Sequence, residues 1–233
     1  MEIPTSRRKA LKACFLTGIG LALATVEGSL PQKIHPRHAN ASQNREEGLQ
    51  LSFLFDQNRC TGCKLCARSC KQANNWEKGV EWRKVIQDPS TKGAKMPRDK
   101  TLLSISCNHC AKPACASVCP VKAYSKRKED GIVVQDQGKC VGCKYCLYAC
   151  PYQALSYGEE TKTVSKCHFC YERQDQGEIP ICVDKCPTGA LQMGELDFLK
   201  RRVGTIQQVG NLPNPSIVGK PSIIIVPKRA LPK

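Results

Sequence analysis

Hydrophobic positions along the chain fall into one longer run and a set of short clusters. Ala13 to Val26 is a 14-residue, mostly apolar stretch. As a helix it reaches about 21 Å, short of a bilayer's hydrocarbon core. Farther on, apolar and β-branched residues concentrate in Leu51–Phe55, Leu102–Ser106, Ile132–Gln135, Ala154–Tyr157 and Ala190–Met193. Each has strand length and ends near a turn-forming residue. Ile223–Val226, between Pro221 and Pro227, predicts a further short strand or a docking tail. The pattern predicts an α+β protein of small hairpins and short helices, with residues 74–100 and 196–233 as embellishments.

Composition says what holds such small elements together. Aromatic residues are only 6% of the chain, while 17 of its 233 residues are cysteine. That is about 7% cysteine, far above ordinary usage. A thin apolar core with this many thiols implies disulfides, zinc or iron–sulfur chemistry.

Sixteen of the cysteines fall into four groups. Cys60, Cys63, Cys66 and Cys70 form C-x2-C-x2-C-x3-C. Cys107, Cys110, Cys115 and Cys119 form C-x2-C-x4-C-x3-C-P with Pro120. Cys140, Cys143, Cys146 and Cys150 form C-x2-C-x2-C-x3-C-P with Pro151. Cys167, Cys170, Cys182 and Cys186 form C-x2-C-x11-C-x3-C-P with Pro187. The third group is the bacterial ferredoxin run, whose last cysteine ligates the other cube of a pair. Two intervening residues let a loop wrap one cube, and three carry the last thiolate away from it. The proline that follows has no N–H and a fixed φ, so the chain turns there.

Internal repeats support this organisation. Cys60-Thr61-Gly62-Cys63-Lys64-Leu65-Cys66 parallels Cys140-Val141-Gly142-Cys143-Lys144-Tyr145-Cys146. Gly62 and Gly142 mark a backbone conformation or close approach that a side chain would prevent. Lys71 replaces the proline in the first group, which predicts a looser turn there. The expected fold is therefore a duplicated bacterial two-cluster ferredoxin, irregular and supported by its clusters.

Disulfides do not explain the repeated triplets, whose crowded thiols are poorly placed for pairing. Zinc sites use two C-x2-C pairs or mixed Cys/His sets, and a third cysteine two residues on suits a cube better. His109 and His168, inside C-x2-C loops, are read as outer-layer or surface residues. The chain shows no dinucleotide-binding glycine motif, phosphate loop, G-x-S-x-G or H-E-x-x-H. With four thiolates per cube no iron is left open to substrate. The chain is read as an electron carrier rather than an enzyme.

The formal charge of +16 changes less than it first suggests. Four thiolate-ligated cubes at roughly −2 each would offset about half of it, so no nucleic-acid partner is expected. Near the N-terminus, Ser6-Arg7-Arg8-Lys9-Ala10-Leu11-Lys12 precedes the apolar run, and Ala39-Asn40-Ala41 offers a cleavage site. Residues 1–41 thus resemble a twin-arginine export signal, with Ala10 where a larger apolar residue is common, and an uncleaved N-terminal anchor is the other reading. The twin-arginine route carries folded proteins, as preassembled clusters require. It predicts a peripheral protein on the periplasmic side of the cytoplasmic membrane. Cys14 lies in this leader and is given no role. Residues 42–200 form the expected four-cluster domain of two interleaved units, and 201–233 a C-terminal extension or docking tail.

From Leu51 to about Leu196 the sequence resembles the iron–sulfur subunit of complex molybdoenzymes of the dimethyl sulfoxide reductase family. The resemblance is carried by Arg59-Cys60-Thr61-Gly62-Cys63-Lys64, Leu103-Ser104-Ile105-Ser106-Cys107-Asn108-His109-Cys110, Asp130-Gly131-Ile132-Val133-Val134 and Pro180-Ile181-Cys182-Val183. It implies that the first cysteine group pairs with the fourth and the second with the third. Cys60, Cys63, Cys66 and Cys186 would then hold the first cube, and Cys70, Cys167, Cys170 and Cys182 the second. Cys107, Cys110, Cys115 and Cys150 would hold the third, and Cys119, Cys140, Cys143 and Cys146 the fourth. Some relatives place Trp, with a three-iron cluster, where this chain has Cys115, so four [4Fe-4S] clusters are expected.

The resemblance also implies two partners, a molybdopterin (Mo or W) catalytic subunit and an integral-membrane subunit that exchanges electrons with quinol. This chain would be the electron path between them in an anaerobic respiratory oxidoreductase. Its own export leader is closer to nitrite-, tetrathionate- or polysulfide-type systems, so the resemblance spans several terminal substrates. A freestanding exported polyferredoxin and a zinc-binding interaction protein are the readings from other classes.

Overall fold

The structure is a computed structural model that describes residues 48–88, 91, 100–204 and 219–228. The expected leader, residues 1–41, lies outside the described residues, as does Cys14.

Strand β1 (Leu51–Asp56) opens the described chain, and β8 (Leu191–Glu195) returns after the fourth cysteine group to pair with it antiparallel, Phe53 opposite Met193. On the other edge of β1, strand β9 (Ile223–Val226) runs parallel, with Phe53 opposite Ile223. The three form one sheet in the order β8-β1-β9. Leu51 to Phe55 are all buried, because both faces of β1 are covered. Helix α6 (Leu196–Val203) packs Leu199 against Leu54 and Ile224 on one face. Phe53, Phe55, Met193 and Ile225 enter the main core on the other. A strand covered on two sides reads as a near-continuous apolar run, as Leu51–Phe55 does apart from Ser52, whose hydroxyl donates to the Phe53 carbonyl.

The remaining strands form hairpins: β2 (Arg83–Gln87) with β3 (Leu102–Ser106), β4 (Tyr124–Lys126) with β5 (Val133–Gln135), and β6 (Leu155–Tyr157) with β7 (Val164–Lys166). Strand β2 falls in the segment expected to be an embellishment. Its Arg-Lys-Val-Ile-Gln sequence has only two apolar residues, and pairing with β3 supplies the rest of the order. β9 likewise completes the central sheet.

Five helices accompany the cysteine groups: α1 (Leu65–Asn74), α2 (Ala114–Ser117), α3 (Tyr145–Ala149), α4 (Tyr171–Asp175) and α5 (Ile181–Asp184). α1 packs on α5 and α2 on α3, so the chain nests second and third groups inside first and fourth. The missing proline has a consequence that differs from the looser turn expected. α2, α3 and α5 stop short of their Cys-Pro steps, whereas α1 runs through Cys70 and Lys71 for another turn. Proline would have removed an N–H and clashed with the preceding carbonyl; Lys71 does neither. Among the described residues no helix is long and apolar enough to cross a membrane.

Candidate cluster-binding sites

The repeated motifs build repeated backbone. Gly62 and Gly142 have φ of 76° and 69°, and Lys64 and Lys144, at 60° and 64°, take the left-handed conformation that starts α1 and α3. At Gly142 a Cβ would stand 2.2 Å from the Lys162 carbonyl oxygen, a contact backbone cannot relieve cheaply. At Gly62 it would meet only a Leu102 methyl, at 3.0 Å. The three Cys-Pro steps are also alike. Lys122, Gln153 and Gly189, each three residues after its cysteine, have positive φ and donate their N–H to that cysteine's carbonyl at 3.2 Å.

These turns aim backbone N–H groups at sulfur. Ala123 N–H donates to Cys119 Sγ at 3.3 Å and Leu191 N–H to Cys186 Sγ at 3.4 Å. Phe169 N–H reaches Cys167 Sγ at 3.3 Å, and Val164 N–H reaches Cys140 Sγ at 3.5 Å. Such bonds stabilise negative charge on the sulfurs and tune an iron–sulfur centre.

Cys107, Cys110, Cys115 and Cys150 line one cavity of about 420 Å³, its open mouth included, with Pro113, Val133 and Ala154 as apolar walls. Cys119, Cys140, Cys143 and Cys146 line a second, of about 290 Å³, walled by Val121, Ala123 and Val164. Of the other eight thiols, Cys167, Cys182 and Cys186 are in the main core, Cys60 and Cys66 pack against it, and Cys70 is buried beside Trp76 and Val80. Cys186 and Cys63 act electrostatically on Cys60, and Cys182 and Cys186 on Cys66. Cys70 feels Cys167, Cys182 and Cys170. None of the sixteen described thiols is in a disulfide.

The thiols are hard to ionise as they stand. Burial pushes Cys66 and Cys170 up to about 11, and Cys110, Cys115 and Cys167 up to about 12, with neighbouring thiolates adding to the effect. Burial raises Cys70 as well. Thiolate sets of this kind are stabilised by a cationic metal centre, which reverses the local balance. Among the described residues no three Cys, His, Asp or Glu side chains converge tightly enough for a single metal ion. Eight of the thiols instead stand around the two cavities, as the larger body of a cube requires. Four thiolates per set, apolar walls and N–H groups directed at sulfur all suit [4Fe-4S] clusters.

Two histidines and two cations complete the interior. His109 is fully buried; its Nδ1 accepts from Val133 N–H at 3.1 Å and its ring meets Phe169 edge-on. Burial first, then Lys166, lowers its pKa well below the usual value, so it is neutral. His168 contacts Asn74 Oδ1 at 2.8 Å and packs edge-on against Trp82 and Tyr171. His109 is therefore no surface residue. Arg83 and Lys166 are buried too, at 1% and 3% exposure. Lys166 Nζ donates to the carbonyls of Val133 and Cys167. Sequence reasoning missed both cations. Nothing in a mixed charged and apolar stretch says which lysine or arginine turns inward.

The match to a family model, the 4Fe-4S dicluster domain, covers residues 98–196 and so includes the second, third and fourth cysteine groups. The iron–sulfur subunit of the anaerobic dimethyl sulfoxide reductase of Escherichia coli is 41% identical over 187 residues, 76% of this chain and 89% of that protein. The chain belongs to this family of iron–sulfur subunits. A tetrathionate reductase subunit of Salmonella typhimurium is 34% identical, spanning 88% of this chain and 80% of its own length. Protein NrfC of Escherichia coli is 36% identical over 78% of this chain and 79% of its own. As a member of the dimethyl sulfoxide reductase iron–sulfur family, the protein is an electron-transfer subunit of a reductase complex and not its catalytic subunit. It carries a ferredoxin-like 4Fe-4S dicluster domain of mixed α and β structure.

Proposed function

We propose that this subunit relays electrons through four [4Fe-4S] clusters, between a quinol-linked membrane subunit and a molybdopterin-containing catalytic subunit. The ligand sets are those expected from the sequence: Cys60, Cys63, Cys66 and Cys186; Cys70, Cys167, Cys170 and Cys182; Cys107, Cys110, Cys115 and Cys150; Cys119, Cys140, Cys143 and Cys146. The nested packing of α1 on α5 and α2 on α3 supports a duplicated ferredoxin fold within residues 42–200. Bound clusters supply one-electron oxidation and reduction.

The observation that carries the reading is the gradient of exposure along the series. The first set has an exposed thiol, Cys63, and the fourth has Cys143, while every thiol of the second set is buried. Electrostatic neighbours join the sets end to end: Cys66 with Cys182, Cys167 with Cys107, and Cys115 with Cys146. The second set is thus the most insulated, and the path opens at both ends. Around Cys143, Val141, Tyr145 and Tyr148 are 65%, 60% and 85% exposed, an apolar rim suited to a partner surface.

Residues 1–41 are proposed as a twin-arginine leader that delivers the assembled subunit to the periplasmic face of the membrane, and 201–233 as an extension. The test is purification of a C-terminally tagged chain from solubilised membranes of anaerobic cells. Molybdenum or tungsten co-eluting with iron supports the wire. Iron in a soluble, unaccompanied chain favours a freestanding polyferredoxin, and zinc in place of iron refutes both.

A further inference from the structure

Among the described residues Arg83 is the buried guanidinium beside the outer cysteine sets, and its partners do not neutralise it. Its Nη1 donates to Ser104 Oγ and its Nη2 to Ser106 Oγ, both at 2.9 Å. Its Cζ lies 4.4 Å from the centre of the Phe53 ring. Nε has no hydrogen-bond partner, and none of the ion pairs among the described residues includes this side chain. Hydroxyls and a ring face satisfy geometry without cancelling charge. A buried cation held this way is expensive unless negative charge lies close by.

That charge is in the cysteine sets. Strand β2, which carries Arg83, packs on α1, which carries Cys66 and Cys70. The Phe53 ring against the guanidinium stacks on Phe169, whose N–H donates to Cys167 Sγ. Cys182, Cys167, Cys66 and Cys70, in that order, favour the charged guanidinium against its burial. Cys66 belongs to the proposed first set and the other three to the second. The placement is fixed from the sheet: Arg83 stands opposite Ser106 in the β2–β3 pair, and Ser104 lies two residues along the same face. Lys166, the inner half's buried cation, differs in spending its ammonium on two main-chain carbonyls.

We infer that Arg83 is a potential-setting residue, a fixed positive charge held between the first and second cubes that makes both easier to reduce. An electron added to either cube moves negative charge towards the guanidinium, so the reduced form gains more than the oxidised one. This rests on the proposed ligand sets, and iron and sulfide in the parent protein test that reading separately.

The experiment is EPR-monitored redox titration of the purified holoprotein as parent, Arg83→Gln and Arg83→Lys, each with its iron content measured. Arg83→Gln with full iron is expected to lower two of the four midpoint potentials and leave two unchanged. At a fixed poise the ratio of reduced to oxidised forms of those two should fall by roughly tenfold, which for a one-electron couple is about 59 mV. Arg83→Lys, which keeps the charge without the fork, should shift them less. Four unchanged potentials in Arg83→Gln, or an equal shift in all four, overturn the inference. Should Arg83→Gln lose iron, Arg83→Lys decides. Full iron with near-parent potentials supports a requirement for charge, and loss of iron there too overturns it in favour of packing.

Discussion

Around the first and fourth cysteine groups the chain lays down a three-stranded sheet, helix α6 and the stacked rings of Phe53 and Phe169, whose centroids are 4.0 Å apart. Around the second and third it lays down two hairpins of three-residue strands. The inner half's own buried cluster is Cys115, Cys146, Leu155 and Val164, two of them thiols. The main core surrounds Cys167, Cys182 and Cys186 of the outer half with Phe53, Phe55, Leu191, Met193 and Ile225, and its buried members reach the inner half only through Cys107, Ile132, Tyr152 and Ala154. The same turn chemistry therefore serves two kinds of support. Apolar burial holds much of the outer half, whereas the inner half depends on what its thiols bind.

Removing the clusters should separate the halves most strongly. After anaerobic chelation, amide exchange is expected to accelerate throughout β4–β7 while β1 and β8 keep part of their protection. Equal loss in both halves would break the comparison. Next in size are single ligands. Cys182→Ser should remove at least one cube's iron, about four atoms per chain, and disturb the first set through Cys66. Cys143→Ser, at the open end of the inner half, should leave the outer potentials unchanged. Iron content and EPR read both.

Glycine substitutions sharpen the comparison on a smaller scale. Gly142→Ala meets main chain and a strained φ, so partial loss of iron and a lower melting temperature are expected. Gly62→Ala carries the same φ strain but meets a movable Leu102 side chain, and should be the milder of the two. The smallest effect is expected at the exposed Lys200–Asp197 pair, 2.9 Å apart. Lys200→Ala should leave the midpoint of thermal unfolding essentially at the parent value.

Much of this architecture was legible in the sequence because thiol spacing and turn chemistry are local. Leu51–Phe55 and Leu102–Ser106 are strands, and Gly62 and Gly142 do take the left-handed backbone that their repeated positions suggested. What escaped was tertiary. Arg83 and Lys84 look alike in sequence, yet the β2–β3 register turns one inward onto two serines. Strand β2 carries too little hydrophobicity to declare itself, and in place of the looser turn expected α1 continues past Cys70, because Lys71 permits what proline forbids elsewhere.

The most direct measurement is iron and acid-labile sulfide per chain in protein purified anaerobically with its partners undisturbed. Four cubes predict about sixteen of each. Eight or fewer in fully folded protein, or zinc in their place, would contradict the four-cluster path.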